Sequence, residues 1–156
     1  MQTTQLVQEP KAVTKARAAH INVLLLANRN LDALEELCEA AGITHAQYVA
    51  LWTLCLNDDP AAGVPIGALA DGLLNRASDA TRLIDRLARA GLAERLPNPS
   101  DRRSVLVRAT ARGKKVFSVV TPKLQEYHRA QWSNLSAREL DTLNSLLLKA
   151  LWGDAV

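Results

Sequence analysis

Two stretches of this sequence place charge where chemistry can use it. In ASDATRLIDRLARA, residues 77–90, the polar side chains Ser78, Thr81, Arg82, Asp85, Arg86 and Arg89 share one side of a helical period. Ala80, Leu83, Ile84 and Leu87 share the other. In LPNPSDRRSVLVRAT, residues 96–110, two apolar runs flank a polar tip in which Asp101 stands beside Arg102 and Arg103. A guanidinium presents a planar fork of donors that suits phosphate oxygens and other paired acceptors. Both stretches therefore offer cations to an acceptor-rich partner, one from a helix face and one from a turn.

The charge of the whole chain is only +3, but it is unevenly spread. From Arg76 to Lys115 there are eleven Lys or Arg against four acids, a surplus of seven that leaves the remainder of the chain at −4. A basic segment within a mildly acidic chain points to a polyanion met by one region. Charge alone leaves nucleic acid, a membrane surface and a solvated face open.

The elements that must position these side chains read as mostly helical. After Pro10, the apolar positions Ala16, Ala19, Val23, Leu26, Leu31, Leu34, Leu37 and Ala41 predict one long helix closed at Gly42. Its segment LLLANRNLDALEEL is apolar over more than one stripe, so a second chain is expected to cover it. Thr44 and Gln47 form a capping-box pattern that opens a second helix, with Tyr48 and Trp52 expected in the core. Pro65 opens a short third helix through IGALADGLL, whose Ile66, Leu69 and Leu73 fall at near-helical spacing. Ser78 is expected to cap the fourth helix, which Gly91 stops. Leu92 to Leu96 and Ser104 to Ala109 pair as a hairpin around PNPSD, and Thr110 caps a helix kinked or restarted at Pro122 that runs to about Trp132. Ser136 with Glu139 opens the last helix. Three helices followed by a hairpin is the order of a winged helix-turn-helix, so the fold expected is mainly α with a small β-hairpin wing.

The run RLIDRLARAGLAERLPNPSDRRSVLVRATARGKKV resembles the signature of the MarR family of bacterial transcription regulators: a D-R-L-x-x-x-G-L element, a P-x-D-x-R wing and an L-T-x-x-G element. The match covers Asp85 to Gly113 almost continuously, with Ala109 where the family usually has a leucine. The resemblance implies a homodimer with a winged helix-turn-helix DNA-binding lobe over 43–110 and dimerisation helices over 10–42 and 111–152. It implies binding to a pseudo-palindromic double-stranded DNA operator, most often as a repressor, and release by a small aromatic or anionic effector held between the dimerisation helices and the lobe. Arg17, His20, His45 and Trp52 are the candidates to line that crevice.

The side-chain chemistry agrees with that implication. Arginine can bind guanine in bidentate fashion and threonine can contact the thymine methyl or a phosphate. Thr81 and Arg82 are thus expected to read bases, with Arg86 on the same face and Ser78 and Asp79 at its start. Arg102 and Arg103 suit a narrow minor groove, where negative potential is enhanced. Asp101 is expected to aim an arginine, with Arg95, Arg103 and Arg86 as candidates, while Pro97 and Pro99 stiffen the tip. An alternative class is a winged-helix protein-interaction module without sequence-specific DNA binding.

Other chemistry has less to build on. His20, His45 and His128 show no metal-binding spacing, and there is no nucleophile motif, Walker loop or dinucleotide fingerprint, so neither metal, cofactor nor enzymatic activity is expected. Cys38 and Cys55 sit among apolar neighbours and are expected to be buried, reduced thiols. The family's peroxide-sensing branch uses a cysteine near the start of the first helix, whereas Cys38 lies near its end. No apolar run approaches the roughly 20 residues that span a bilayer, and the first residues lack the pattern of a signal peptide, so a cytoplasmic, nucleoid-associated protein is expected.

Overall fold

Helix α1, Lys15–Glu39, buries only Leu34 and Cys38, both in its C-terminal half. It ends in a turn where Gly42, at φ 74°, takes the left-handed conformation anticipated for it. The computed structural model describes residues 15–57, 59, 62–72, 77–101 and 104–153. Pro10, Leu73, Arg76, Arg102 and Arg103 lie outside the described residues, as do the side chains of Ser78 and Asp79.

Helix α2, His45–Leu56, is the centre of the lobe. The Thr44 side chain accepts from the Gln47 N–H and the Gln47 side chain from the Thr44 N–H, so the capping box forms as the sequence predicts. Ala50, Leu51 and Leu54 on α2 are completely buried. Strand β1, Val64–Pro65, then leads into α3, Ile66–Gly72, which buries Leu69. Helix α4 spans Ala77–Arg89. Ser78 therefore lies inside the first turn. The apolar set Ala80, Leu83, Ile84 and Leu87 is buried to 3% exposure or less, so one face of α4 is wholly committed to the core. Burial of such side chains contributes roughly 1.5–3 kcal/mol each for the larger ones.

Strands β2, Ala93–Pro97, and β3, Val105–Ala109, form the expected antiparallel hairpin, with Ala93 opposite Ala109 and Pro97 opposite Val105. The hairpin is part of a three-stranded sheet in the order β1-β3-β2, because Val64 and Pro65 pair with Val107 and Leu106. The departure from the family pattern at Ala109 is harmless, since its side chain is buried at the strand end.

Helix α5, Ala111–Gln131, is continuous through Pro122. The expected restart is absent because core contacts hold both sides: Val120 and Leu124 are buried, and Thr121 Oγ1 donates back to the Phe117 carbonyl at 2.7 Å. Thr110 caps α5 and also closes the loop after α4. Its hydroxyl donates to the Gly91 carbonyl at 2.7 Å and accepts from the Gly113 N–H at 3.0 Å, while its own N–H reaches the Leu92 carbonyl at 3.1 Å. A Cβ on Gly113 would stand 2.0 Å from the Leu92 carbonyl oxygen, so only glycine fits there. Helix α6, Ala137–Trp152, starts with the Ser136–Glu139 capping box and buries none of its residues.

Candidate functional site

The outer face of α4 follows from its inner one. With the apolar stripe locked into the core, Thr81, Arg82, Arg86 and Arg89 are exposed. Arg82 and Arg86 lie one turn apart on the same side and hold no ion pair with a described residue. Asp85 sits between them and accepts from Arg95 at 2.6 Å, tying β2 to α4. This corrects the expected role of Arg95, which is engaged by Asp85 and not by Asp101. The pair is favoured because the β2 strand runs back along the helix that precedes it. Both partners are about 40% exposed, so solvent screening limits the pair to a small stabilisation, and positioning is its main effect.

The hairpin is braced along its length and at its tip. Arg108 Nε donates to Glu94 at 2.7 Å across the directly opposed pair of β2 and β3. At the tip, the Asn98 side chain accepts from the Ser100 N–H at 3.0 Å and the Asp101 carbonyl from the Ser104 N–H at 3.0 Å. These local bonds tie Ser100 to Asn98 and Ser104 to Asp101. The arrangement puts an exposed, cationic helix face beside a protruding hairpin.

A second feature lies between α2 and α5, where a cleft of about 250 Å³ opens to solvent. From α2 it is lined by His45, Tyr48, Val49 and Trp52, and from α5 by Thr121, Leu124, Gln125 and His128. Each set repeats at i, i+3, i+4 and i+7, so two helical stripes face each other. Of the expected crevice residues, His45 and Trp52 are brought together here. Arg17 and His20 are not: they are exposed on the first turns of α1, and His20 is about 15 Å along the helix from Asn30, which bonds to Tyr127 of α5. Trp52 was expected in the core, yet it is 49% exposed because Ala50, Leu51 and Leu54 already occupy the inward side of α2. Tyr48 is core as expected, stacked on Phe117 with ring centroids 5.8 Å apart. Val49, Thr121, Gln125 and His128 escaped sequence reasoning, although the repeat on α5 was there to be read.

Burial pushes the His45 pKa down, opposed by the Glu35 carboxylate and reinforced by His128. Cys38 is buried in full and its thiol is pushed up to about 11 by burial and then by Glu35, which suits an inert core thiol. Cys55 is half-buried and also raised, chiefly by burial. Among the described residues no cluster of His, Cys, Asp or Glu could hold a metal, and no helix is long and apolar enough to cross a membrane.

These features define a winged helix-turn-helix protein with a helix-lined cleft beside the winged lobe. A family model described as the MarR family matches residues 43–105. The transcriptional repressor MprA of Escherichia coli (strain K12) is 30% identical over 132 residues, which cover 85% of this chain and 71% of that protein. The multiple antibiotic resistance protein MarR of the same strain is 43% identical over 72 residues. That match spans 46% of this chain and half the length of its relative. Among solved structures, a mutant E. coli MarR complexed with operator DNA superposes with a TM-score of 0.76 at 32% identity, covering 85% of this chain and 92% of the other. The chain belongs to the MarR family.

Proposed function

We propose that this protein is a dimeric DNA-binding transcription regulator, a repressor released from a pseudo-palindromic operator by a small effector. The observation that carries the reading is the pair Arg82 and Arg86, exposed and without an ion pair among the described residues, on a helix whose opposite face is completely buried. A major groove about 12 Å wide admits one helix, and only such an outward face can meet base edges. Arg82 and Thr81 read bases, Arg86 supports them, and Ser78 and Asp79 lie at the helix start near the phosphates. Arg102 and Arg103 enter the adjacent minor groove from the wing. Arg95 keeps wing and helix in fixed relation through Asp85, and Asp101 shapes the tip.

Dimerisation is supported by apolar surface that this chain leaves open. On α1, Ile21, Val23, Leu24, Leu25 and Leu31 are exposed, and on α6 so are Leu146, Leu148, Leu151 and Trp152. Exposed large apolar side chains grouped on a helix in this way mark an interface. The helices within 10–42 and 111–152 thus form the dimer body, and 43–110 the DNA-binding lobe. Two lobes then meet successive major grooves about 34 Å apart, and an effector in the α2–α5 cleft favours a spacing that no longer fits.

Gel retardation with operator and random duplex at two salt concentrations tests the reading. The parent protein binds the operator more tightly, and binding to both duplexes weakens as salt rises. Arg82→Ala loses about 1–3 kcal/mol of the discrimination between the two duplexes. Absence of salt-dependent duplex binding would leave a winged-helix protein-interaction module and sink the proposal.

A further inference from the structure

The α2–α5 cleft has a chemical preference that its lining makes explicit. Among the described residues, no Lys or Arg is one of the side chains that line it. The start of α2 would be the natural seat for an anion, but two of its donors are already used. The His45 N–H donates to the Glu35 carboxylate at 2.9 Å, and the Gln47 N–H to Thr44 Oγ1 at 3.2 Å. The negative charge of Glu35 therefore stands where a ligand carboxylate would otherwise dock.

The hydroxyls in the cleft are committed as well. Thr121 donates to the Phe117 carbonyl at 2.7 Å, so the Tyr48 hydroxyl is the donor in its 3.1 Å contact with Thr121 Oγ1. Gln125 and the imidazoles of His45 and His128 remain as polar handles, over an apolar surface made by Val49, Leu124 and Trp52. Neutral imidazole offers one donor and one acceptor, which suits a hydroxyl or a carbonyl. The half-exposed indole of Trp52 offers a face for ring stacking. A cleft of about 250 Å³ falls just below the roughly 300–1,000 Å³ of drug-sized pockets, so one or two fused rings is the size it suits.

We infer that the cleft selects a small, uncharged aromatic molecule bearing a hydrogen-bonding hydroxyl or carbonyl, and discriminates against aromatic carboxylates of the same shape. Its regulatory meaning rests on the effector reading above. A carboxylate entering the cleft would give up hydration without gaining a Lys or Arg partner from the described lining.

The test is calorimetric titration of the full-length protein at neutral pH with 2-naphthol and 2-naphthoate, which share a ring system and differ in charge. The parent binds 2-naphthol at least about tenfold more tightly than 2-naphthoate. Gln125→Arg places a cation at an exposed position of the cleft and reverses that order. Equal or tighter binding of 2-naphthoate by the parent overturns the inference, and so does failure to bind either probe. An order unchanged by Gln125→Arg also overturns it, because the ligand then sits elsewhere. Operator release is read separately: 2-naphthol that binds at the cleft without altering DNA retardation supports the ligand class and overturns the effector reading.

Discussion

The winged lobe and the outer helices solve the same problem in opposite ways. In the lobe, α4 carries a narrow apolar stripe, and all four residues of that stripe are buried within one chain. On α6 the apolar residues are more numerous, yet none is buried. The sequence of α6 is no weaker as a helix, since its capping box and Gly153 C-cap both form. Among the described residues nothing buries it. The lobe is therefore stabilised by packing inside one chain, whereas in the dimer proposed above the ends are stabilised by packing against a second protomer.

The sharpest way to break this comparison is to injure each region in its own terms. Leu87→Ala, at a fully buried site on α4, destabilises the fold by about 2–5 kcal/mol at any protein concentration. Combined Leu148→Glu and Leu151→Glu leaves the lobe folded but raises the dimer dissociation constant at least about a hundredfold. Thermal unfolding and analytical ultracentrifugation separate the two outcomes. A double variant that remains dimeric would remove the distinction between lobe and ends.

A smaller effect sharpens where the regions join. Gly113→Ala forces a Cβ against the Leu92 carbonyl oxygen and costs about 1–3 kcal/mol of stability, measured by denaturant titration. Its effect on operator affinity exceeds that of a surface variant of equal stability, because the loop that follows α4 must shift. Smallest is the cap of α6. Hydrogen bonds from the Ser136 side chain and backbone hold the Glu139 carboxyl below the usual carboxylate range. That contribution is full above the unfolded-state pKa and is lost as pH falls through the lowered one. The Tm advantage of the parent over Glu139→Gln therefore shrinks in acid, and an advantage independent of pH would show that charge has no part in the cap.

Legibility followed the range of the interactions. The boxes at Thr44–Gln47 and Ser136–Glu139 join residues three apart, and short-range rules found them. The stripe of α4 was equally plain, and with it the exposure of Thr81, Arg82 and Arg86. Strand β1 was invisible, because two residues, Val64 and Pro65, become a strand only by pairing with β3 some forty residues later. At Pro122 only the restart is absent, the helix being held on both sides by the buried Val120 and Leu124. Trp52 lies on the cleft and not in the core, and Arg17 and His20 lie away from the cleft. Periodicity locates a helical face but does not say which end of a long helix is packed, or which side of an all-apolar helix meets solvent.

The knot formed by Gly91, Leu92, Thr110 and Gly113 has a mechanical consequence. It clamps one end of α5 to the segment leaving α4, while Thr121, Leu124, Gln125 and His128 of the same rigid rod form a wall of the cleft. From Ala111 to Gln125 the rod is about 21 Å long. With its far end as pivot, a tilt of about 5° carries the clamped end through about 2 Å, the scale of helix shifts that switch interfaces. On the effector reading proposed above, helix α5 is the lever arm, pivoting at the cleft and moving at the end clamped to the segment that leaves α4.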